Sequence, residues 1–334
     1  MAPVRSFRAH PTSPAQPTVI FWYQWGPDVA RGRPRSYGGI FMRSLLIRHA
    51  LVVAGVGSLV LGATIVAGAS TTSGSYNAAD AKLVPSAYKN VTLQVATDAT
   101  YPPDESMKGT TMIGFDVDLM KAISTTLKIN IKENNVTFDG IIAGITAGRY
   151  SVGNSSFTDT KAREKSVNFV DYFQAGEGVY AKSSSALKFN GFSSFCGWKV
   201  GVETGTTEQT DAQNASKSCP SSKRIDVVTF PTQTEANLAV LSGQVNVGFV
   251  DSQVAGYIVS TSAGKFKLLG SAVNVAPYGI ATPKTSAGLG LAKAIQAALK
   301  TLVANGTYSA ILAKWGVSAG ALPVSKIVLN GATS

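Results

Sequence analysis

Short strand-like segments alternate with helix-like segments along most of this chain, and this alternation constrains the fold more than any other feature. Residues 91–97 alternate apolar and polar side chains as a strand does, and residues 114–127 have apolar residues at helical spacing. The same order recurs in a strand-like segment at 130–136 and a helix-like segment at 138–147. Such alternation predicts an α/β protein built around a sheet.

A second unit with the same alternation follows a serine-rich segment at residues 183–185. Further strands are predicted at 151–154, 176–182, 199–203, 225–230, 245–250, 265–269 and 277–282. Further helices are predicted to open at 205–208 and to occupy 232–241, 253–260, 289–304 and 308–315. At 334 residues the chain is long enough for two such domains.

Positive charge is concentrated near the N-terminus. The formal net charge is +11, and residues 1–69 contribute +6 of it through seven arginines and one aspartate. The rest of the chain disperses its basic residues among acidic ones, without a basic stripe interleaved with aromatic side chains. This distribution is not typical of a nucleic-acid-binding protein, so no nucleic-acid partner is expected.

Both histidines, His10 and His49, fall in the same N-terminal region. If that region is removed, the mature chain has no histidine, which excludes Ser-His-Asp and Cys-His catalysis and any histidine-ligated metal site. We therefore expect no catalytic residue and no metal. No cofactor is expected either, because the sequence contains no glycine-rich phosphate-binding loop.

The N-terminal residues have the composition of a targeting sequence. Residues 1–41 are rich in Pro, Arg and Gly and are interpreted as a disordered extension or a mis-assigned start. Residues 42–69 begin with Met42 and basic residues, continue through an uncharged run and end in Ala-Gly-Ala, as a secretory signal does. The run is also long enough to span a bilayer, so cleavage after Ala69 and retention as an anchor both stay open. Residues 70–90 are predicted to form a linker.

The chain contains two cysteines, Cys196 and Cys219. A pair of cysteines in an exported chain favours a disulfide, which for a loop of this length stabilises the fold by roughly 3 kcal/mol. Two buried free thiols are the alternative.

A stretch at residues 153–169 predicts a carboxylate-binding site. A short apolar strand leads into the small hydroxyl residues Ser155, Ser156 and Thr158, and Arg163 follows on a helical turn. Arginine presents a planar set of charged donors that fits two carboxylate oxygens, and backbone N–H groups at the start of the turn can add to it. The alternative is that Arg163 and its charged neighbours form a solvated helix face.

Six motifs together resemble a known family. They are Thr-Asp-Ala-Thr-Tyr-Pro-Pro at 97–103, Gly-Phe-Asp-Val-Asp-Leu at 114–119, Phe-Asp-Gly-Ile-Ile at 138–142, Ser-Ser-Phe-Thr-Asp-Thr-Lys-Ala-Arg at 155–163, Gly-Val-Glu-Thr-Gly-Thr-Thr at 201–207 and Pro-Tyr-Gly-Ile at 277–280. From about residue 91 to residue 317 the chain resembles the family 3 extracellular solute-binding proteins, the polar amino-acid receptors of ABC importers. The cysteine pair and the ending Asn-Gly-Ala at 330–332 look most like actinobacterial members.

The resemblance implies a two-lobed clamshell of the type II periplasmic-binding-protein fold, with two hinge strands. Lobe 1 is expected at 91–181 plus 276–318 and lobe 2 at 184–273, with hinges near Lys182 and Val275. Residues 319–334 are expected to be a C-terminal tail.

The resemblance also implies how a ligand zwitterion is held. Arg163 is expected to pair with the ligand α-carboxylate, with Thr207 donating a backbone N–H across the cleft. The backbone and hydroxyl groups around Ser156 and Thr158 are expected to contact the ligand α-ammonium and α-carboxylate. Asp251 is expected to bind the α-ammonium. The alternatives are that Asp251 only caps the helix that follows it, and that Thr206 and Thr207 are only caps.

Other matching positions are expected to surround the ligand side chain. Tyr101 and Phe138 flank it in the family, and Asp98 faces the side-chain nitrogen in members that bind cationic amino acids. The alternatives are that Phe138 is a core residue and that Asp98 only orders its turn. In the family an aromatic residue often follows the Tyr-Pro-Pro sequence, whereas here Asp104 and Glu105 follow it. These acids favour a basic or amide ligand; the alternative is that they face solvent. Glu203, at a usually apolar family position, is interpreted as structural or exposed.

The resulting expectation is an exported substrate-binding protein of an amino-acid ABC importer, with a free amino acid and a permease as partners. It is expected to be a monomer and not an enzyme. A lipid anchor is not expected, because Ala69 rather than a cysteine follows the Val-Ala-Gly motif at residues 66–68. The alternatives are a membrane-tethered amino-acid sensor and, less favoured, a dehydratase or lyase on the same fold.

Overall fold

The computed structural model describes residues 73–332. The predicted extension at 1–41 and the predicted signal at 42–69 lie outside the described residues. The helices are α1 (Ala78–Lys82), α2 (Phe115–Leu127), α3 (Phe138–Thr146), α4 (Thr207–Ser218), α5 (Gln233–Ser242), α6 (Ser252–Thr261), α7 (Ser286–Ala304) and α8 (Thr307–Trp315). The strands are β1 (Thr92–Thr97), β2 (Thr100–Tyr101), β3 (Glu105–Lys108), β4 (Thr111–Ile113), β5 (Asn130–Asn135), β6 (Val152–Gly153), β7 (Val167–Lys182), β8 (Lys199–Glu203), β9 (Asp226–Phe230), β10 (Val247–Asp251) and β11 (Phe266–Pro283).

A mixed eight-stranded sheet runs through the described part of the chain in the order β5-β1-β6-β11-β7-β10-β8-β9. At one end β1 is parallel to β5 and β6, and at the other β8 is parallel to β9 and β10. We call the first group with its helices lobe 1 and the second lobe 2. The predicted α/β class is confirmed, and each lobe has its own parallel strands.

The two lobes are joined by β7 and β11, which pair antiparallel from Val167 opposite Pro283 to Lys182 opposite Phe266. The sequence predicts a strand at 176–182 and separate strands at 265–269 and 277–282. The structure merges the last two into β11 and extends the first back to Val167. Polar residues such as Asn168 and Asp171 interrupt the apolar pattern of β7, although both are buried.

The strands cross between the lobes near the middle of β7. Glu177 is already paired with Asp251 of β10, so the first crossing lies before the predicted position near Lys182. The pairing of β11 with β7 is irregular between Leu269 and Ala276. The second predicted hinge position, Val275, lies in this irregular segment.

Each lobe has its own hydrophobic core. In lobe 1, α2, α7 and α8 pack on the sheet through residues such as Leu119, Ile295 and Ile311. In lobe 2, Phe195 and Phe249 centre a second cluster. Among the described helices, α7 alone is long and apolar enough to cross a membrane, and its buried side chains belong to the lobe 1 core.

The predicted disulfide is present. Cys196 and Cys219 are bonded across 23 residues of sequence, with their Cα atoms 5.6 Å apart. The bond ties the turn that ends at Phe195 to the end of α4. It therefore closes the outer side of lobe 2.

The prediction that residues 70–90 form a linker is wrong for the second half of this range. Asn77 accepts hydrogen bonds from the backbone of Ala79 and Asp80 and so starts the short helix α1. Asp80 accepts a 2.7 Å hydrogen bond from Thr301 of α7, and Val84 is buried in the lobe 1 core. The small residues of this segment give no periodic pattern from which a helix could be predicted. Its order comes instead from contacts with residues distant in sequence.

The predicted tail at 319–334 is also wrong as a description of residues 319–332. Leu322 and Ile327 are buried in the lobe 1 core. Asn330 accepts a 2.8 Å hydrogen bond from the backbone of Phe169 in β7. This C-terminal segment, residues 319–332, is therefore part of lobe 1.

A small three-stranded sheet, β2-β3-β4, stands where the sequence predicts only a turn. Thr100 pairs with Ser106, and Ser106 in turn pairs with Ile113. The sheet places the backbone of Asp104 and Glu105 against the interior, and both side chains are fully buried. The alternative that these two acids face solvent is wrong.

Candidate ligand-binding site

A small cavity lies between the lobes. All eight predicted ligand-binding residues line it: Asp98, Tyr101, Phe138, Ser156, Thr158, Arg163, Thr207 and Asp251. The sequence did not predict five further lining residues as ligand contacts: Glu105, Ser155, Glu203, Thr206 and Glu208.

The carboxyl ends of the parallel strands supply several of these residues. Asp98 follows β1 and Ser155 follows β6 in lobe 1, while Glu203 ends β8 and Asp251 ends β10 in lobe 2. Side chains at the carboxyl ends of parallel strands meet at one edge of a sheet, which is where ligands bind in open α/β folds. Here two such edges, one in each lobe, border the same cavity.

The guanidinium of Arg163 bridges the lobes. Its Nη1 donates to the carbonyl oxygen of Thr158 at 2.9 Å, and its Nη2 donates to that of Gly205 in lobe 2 at 3.0 Å. The group lies 5.4 Å from the ring centres of both Phe138 and Phe157. Burial lowers the pKa of Arg163, whereas the charges of Glu208 and Asp251 raise it. The interpretation of Arg163 as part of a solvated helix face is wrong.

Asp251 is held by a tyrosine of the opposite lobe. The hydroxyl of Tyr101 donates to Asp251 Oδ2 at 2.7 Å, and the backbone N–H of Asp251 donates to the same hydroxyl at 3.2 Å. Asp251 makes no side-chain capping bond to α6, so the capping alternative is wrong. Burial raises the pKa of Asp251 to about 6, although hydrogen bonds from Tyr101 and Tyr278 and the charge of Arg163 lower it.

Two neighbouring threonines have different roles. Thr206 caps α4 by accepting a hydrogen bond from the backbone of Gln209. Thr207 begins α4, where backbone N–H groups have no partner within the helix. Its hydroxyl lies 3.2 Å from that of Thr158 in lobe 1, and the two are hydrogen bonded across the cleft.

Asp98 and Phe138 each serve the fold and also line the cavity. The carboxylate of Asp98 accepts hydrogen bonds from the backbone N–H groups of Thr100 at 3.0 Å and Phe138 at 2.9 Å. Asp98 therefore orders its turn and the start of α3, which agrees with the alternative that it has a structural role in the turn. Phe138 stacks on Phe157 with ring centres 4.5 Å apart, directly beside Arg163.

The lobes are closed on each other in this structure. The cavity has a volume of only about 10 Å³. Direct contacts, such as the hydrogen bond from Arg163 to Gly205, join the lobes across the cleft. A bound ligand therefore has to replace some of these contacts rather than add to them.

The profile of the bacterial extracellular solute-binding proteins, family 3, matches residues 93–318. The chain belongs to this family. It is 26% identical over 234 residues to the arginine-binding protein ArgT of Corynebacterium glutamicum, which covers 69% of this chain and 76% of that protein. The fold is the two-lobed type II periplasmic-binding-protein fold of its structural neighbours.

Two solved structures illustrate the likeness. One is an ancestral arginine-binding protein bound to glutamine, with 31% identity, a TM-score of 0.62 and coverage of 68% of this chain and 98% of that one. Another is the arginine-, lysine-, histidine-binding protein ArtJ from Geobacillus stearothermophilus, with 28% identity, a TM-score of 0.61 and coverage of 67% and 95%.

Acidic residues dominate the cavity of this solute-binding protein. Asp98, Glu105, Glu203, Glu208 and Asp251 line it, against Arg163 as the one basic side chain among the lining residues. Burial raises the pKa of each of these five carboxyl groups. Because burial without a cation disfavours the charged form, the cavity is suited to receive positive charge.

Three of these acids were missed or misplaced by sequence reasoning. Glu105 accepts a 2.8 Å hydrogen bond from Ser155 and is fully buried. Glu203, interpreted as structural or exposed, is buried and lines the cavity. Glu208 lies in the first turn of α4, where an acid usually only complements the helix dipole. A charged residue at the buried carboxyl end of β8 is the signal that could have identified Glu203.

Asp104 and Ser156 support the cavity from behind. Asp104 accepts hydrogen bonds from the Ser156 hydroxyl at 2.9 Å and from Gln253 of α6 in lobe 2 at 2.7 Å. The backbone of Ser156 donates to Asp116 at 3.0 Å, which fixes its left-handed conformation. The hydroxyl of Ser156 is therefore engaged within the protein, while its backbone borders the cavity.

Proposed function

We propose that this chain is the extracytoplasmic substrate-binding protein of an amino-acid ABC importer, and that it binds a basic L-amino acid between its lobes. One observation carries the proposal. A partly buried cation, Arg163 of lobe 1, and a buried anion, Asp251 of lobe 2, line one cavity whose other charged side chains are all acidic.

An amino-acid zwitterion fits the first two groups. Its carboxylate and ammonium lie about 3 Å apart, so a site needs a fixed cation beside a fixed anion, and charge-assisted hydrogen bonds are the strong kind. In the proposal Arg163 holds the α-carboxylate, aided by Thr158 and by the backbone at Thr207. Asp251 holds the α-ammonium. Because the partners come from opposite lobes, the ligand favours the closed state.

The remaining acids favour a side chain that ends in a cation. In the proposal Tyr101 and Phe138 flank the aliphatic part of this side chain, and Ser156 borders the α-groups. Asp98 supplies a carboxylate to the terminal nitrogen. The arginine-binding relative from Corynebacterium glutamicum supports this choice. The glutamine-bound ancestral protein shows that a similar fold also holds a neutral amide side chain.

Transport is the proposed context. The chain is proposed to be exported, to act as a monomer and to deliver its ligand to a permease, as the family's extracytoplasmic receptors do. A binding role without turnover is proposed. Recovery of chemically altered ligand after incubation would favour the dehydratase or lyase alternative instead.

A thermal-shift screen tests the proposal. Residues 70–334 are melted with each of the twenty amino acids and with ornithine and citrulline. A ligand that binds the folded state alone stabilises it by about 2.7 kcal/mol at one hundred times its dissociation constant. We expect arginine, lysine and ornithine to raise the melting temperature most. No shift with any amino acid at millimolar concentration would contradict the proposal.

The control for this screen is Lys161→Ala. Lys161 lies two residues before Arg163 and pairs with Glu164 on the exposed side of the turn. The Lys161→Ala variant is therefore expected to show the same ligand-induced shifts in melting temperature as the wild type. Substitutions of cavity residues are expected to alter these shifts.

A further inference from the structure

Glu203 is an unusual residue for the wall of a binding cavity. It ends β8 in lobe 2, it is 2% exposed, and it lines the cavity. Its Oε1 atom is buried and has no hydrogen-bond partner. A buried carboxylate oxygen without a partner is costly, so the position requires a donor.

An acid of the opposite lobe, Asp98, lines the same cavity as Glu203. Each of these two carboxyl groups influences the pKa of the other across the cleft. Asp98 already accepts hydrogen bonds from two backbone N–H groups, so it is fixed as an acceptor. Because neighbouring buried carboxyl groups disfavour each other's charged form, we expect the two groups to share one proton.

The surroundings provide no compensating cation at this contact. Burial raises the pKa of Glu203 well above its usual range, and the charges of Asp98 and then Glu208 of α4 add to the effect. On the lobe 1 side, Glu105 of β3 lies behind Asp98, and its own pKa is raised by burial and by neighbouring acids that include Asp98. Arg163 interacts with Glu208 and Asp251 instead.

We propose that Glu203 is a specificity residue that, together with Asp98, holds the cationic end of the ligand side chain from opposite lobes. This inference rests on the proposed function. An ammonium or guanidinium group has enough N–H donors to satisfy Asp98 and the unpartnered Oε1 of Glu203 together. We call Asp98 and Glu203 the acid pair. Because the pair spans the cleft, a cationic side chain adds to lobe closure, which a neutral one does not.

A proton leaves as the cation enters. In the ligand-free closed state the acid pair holds one proton; on binding, the O–H bond of Glu203 breaks, the proton goes to solvent, and the ligand cation takes its place between the carboxylates. Affinity for a cationic ligand therefore rises with pH, because fewer pairs hold the competing proton. A neutral side chain leaves the proton on Glu203, so its affinity does not rise in this way.

Arginine and citrulline form a matched ligand pair, because citrulline has the same shape with an uncharged end group. Calorimetry of the wild-type protein at about pH 6.5, in two buffers of different ionisation enthalpy, counts the protons released. We expect arginine to release about one proton more than citrulline. Equal proton release for the two ligands would overturn the exchange.

The variant Glu203→Gln removes the charge and keeps the shape. We expect arginine affinity to fall about 10- to 100-fold and citrulline affinity to change by less than about 3-fold. Glu133→Gln is the matched control, because Glu133 is a partly buried acid of β5 that pairs with Lys121 outside the cavity. It should leave both affinities unchanged.

The outcomes separate this inference from the function on which it rests. If Glu203→Gln folds, binds arginine and keeps the wild-type ratio of arginine to citrulline affinity, the role of Glu203 is overturned while the proposed function stands. A parallel loss for both ligands would mean a structural role and would also overturn it. Failure of the wild-type protein to bind any amino acid overturns both. The proton count on the wild-type protein tests the inference even if the variant does not fold.

Discussion

The charged residues around the cavity form two groups that differ in how their charges are balanced. In the first group, Arg163 and Asp251 offer opposite charges, and each is anchored by hydrogen bonds to the other lobe. In the second group, the acid pair of Asp98 and Glu203 offers two carboxyl groups that face each other. The first arrangement suits any zwitterion, whereas the second suits a cation. The two groups therefore separate recognition of the amino-acid backbone from recognition of the side chain.

The largest expected effect comes from the balanced group. Arg163→Ala should weaken binding of every amino acid by at least about 2–3 kcal/mol, because the ligand carboxylate loses its charged donor. Calorimetry with arginine and glutamine measures it. Unchanged affinity for either ligand would mean that Arg163 does not bind the ligand carboxylate. It would also contradict the division of the charged residues into two groups.

Asp251→Asn should have a similar but smaller effect of about 2 kcal/mol on every amino acid, because a neutral amide replaces the charged acceptor of the ammonium. The amide oxygen can still accept the hydrogen bond from Tyr101, so the fold should persist. Titrations with arginine and citrulline should show equal losses. A loss confined to arginine would place Asp251 with the acid pair and contradict its assignment to the α-ammonium.

A second pair of buried acids offers a comparison in pH dependence. Asp159 and Asp171 lie in lobe 1 and do not line the cavity. Burial, with the charge of Asp159, raises the pKa of Asp171 to about 8, and burial raises the pKa of Asp159 to about 6. In the unfolded chain an aspartate releases its proton near pH 4. The folded state therefore loses stability as the pH rises from about 4 to about 8.

Melting curves measured between about pH 5 and about pH 9 test this expectation. Asp171→Asn should reduce the fall in melting temperature with rising pH, with or without ligand. Arginine should not reduce this part of the fall, because the ligand does not reach Asp171. A fall that Asp171→Asn leaves unchanged would assign the pH dependence to other acids.

The smallest expected effect on binding comes from the disulfide. Replacing Cys196 and Cys219 by serine should lower the free energy of unfolding by roughly 3 kcal/mol, because the unfolded chain gains freedom. Ligand affinity should not change, because neither cysteine lines the cavity. Denaturant unfolding and calorimetry on the same variant measure both quantities. A change in affinity would mean that the outer side of lobe 2 influences the site.

Regular periodicity made much of the fold predictable. Segments such as α2 and β8 bury residues at helical or strand spacing, and their predicted limits lie within one residue of those observed. The predicted ligand-binding residues all line the cavity because they follow strand ends or begin helices, where the local sequence is distinctive. Their contacts with a ligand stay predictions.

Distant contacts explain what the sequence did not predict. The polar residues Asn168 and Asp171 hide the strand character of β7, yet both are buried. The side chain of Asn168 donates to the carbonyl oxygen of Pro283, and the backbone of Asp171 donates to that of Val328 in the C-terminal segment. Glu203 looked structural because its partner, Asp98, lies more than a hundred residues earlier and in the other lobe. A single sequence records the residue type but not the charge that faces it.

The packing of the C-terminal segment has a mechanical consequence. Leu329 and Ala321 bridge to Val170 and Phe173, so the lobe 1 half of β7 is splinted along one edge. Among residues 73–332, no such bridge from another segment supports β11 between Leu269 and Ala276, where its register with β7 is irregular. Of the two strands that connect the lobes, we therefore expect β11 to bend more readily than β7.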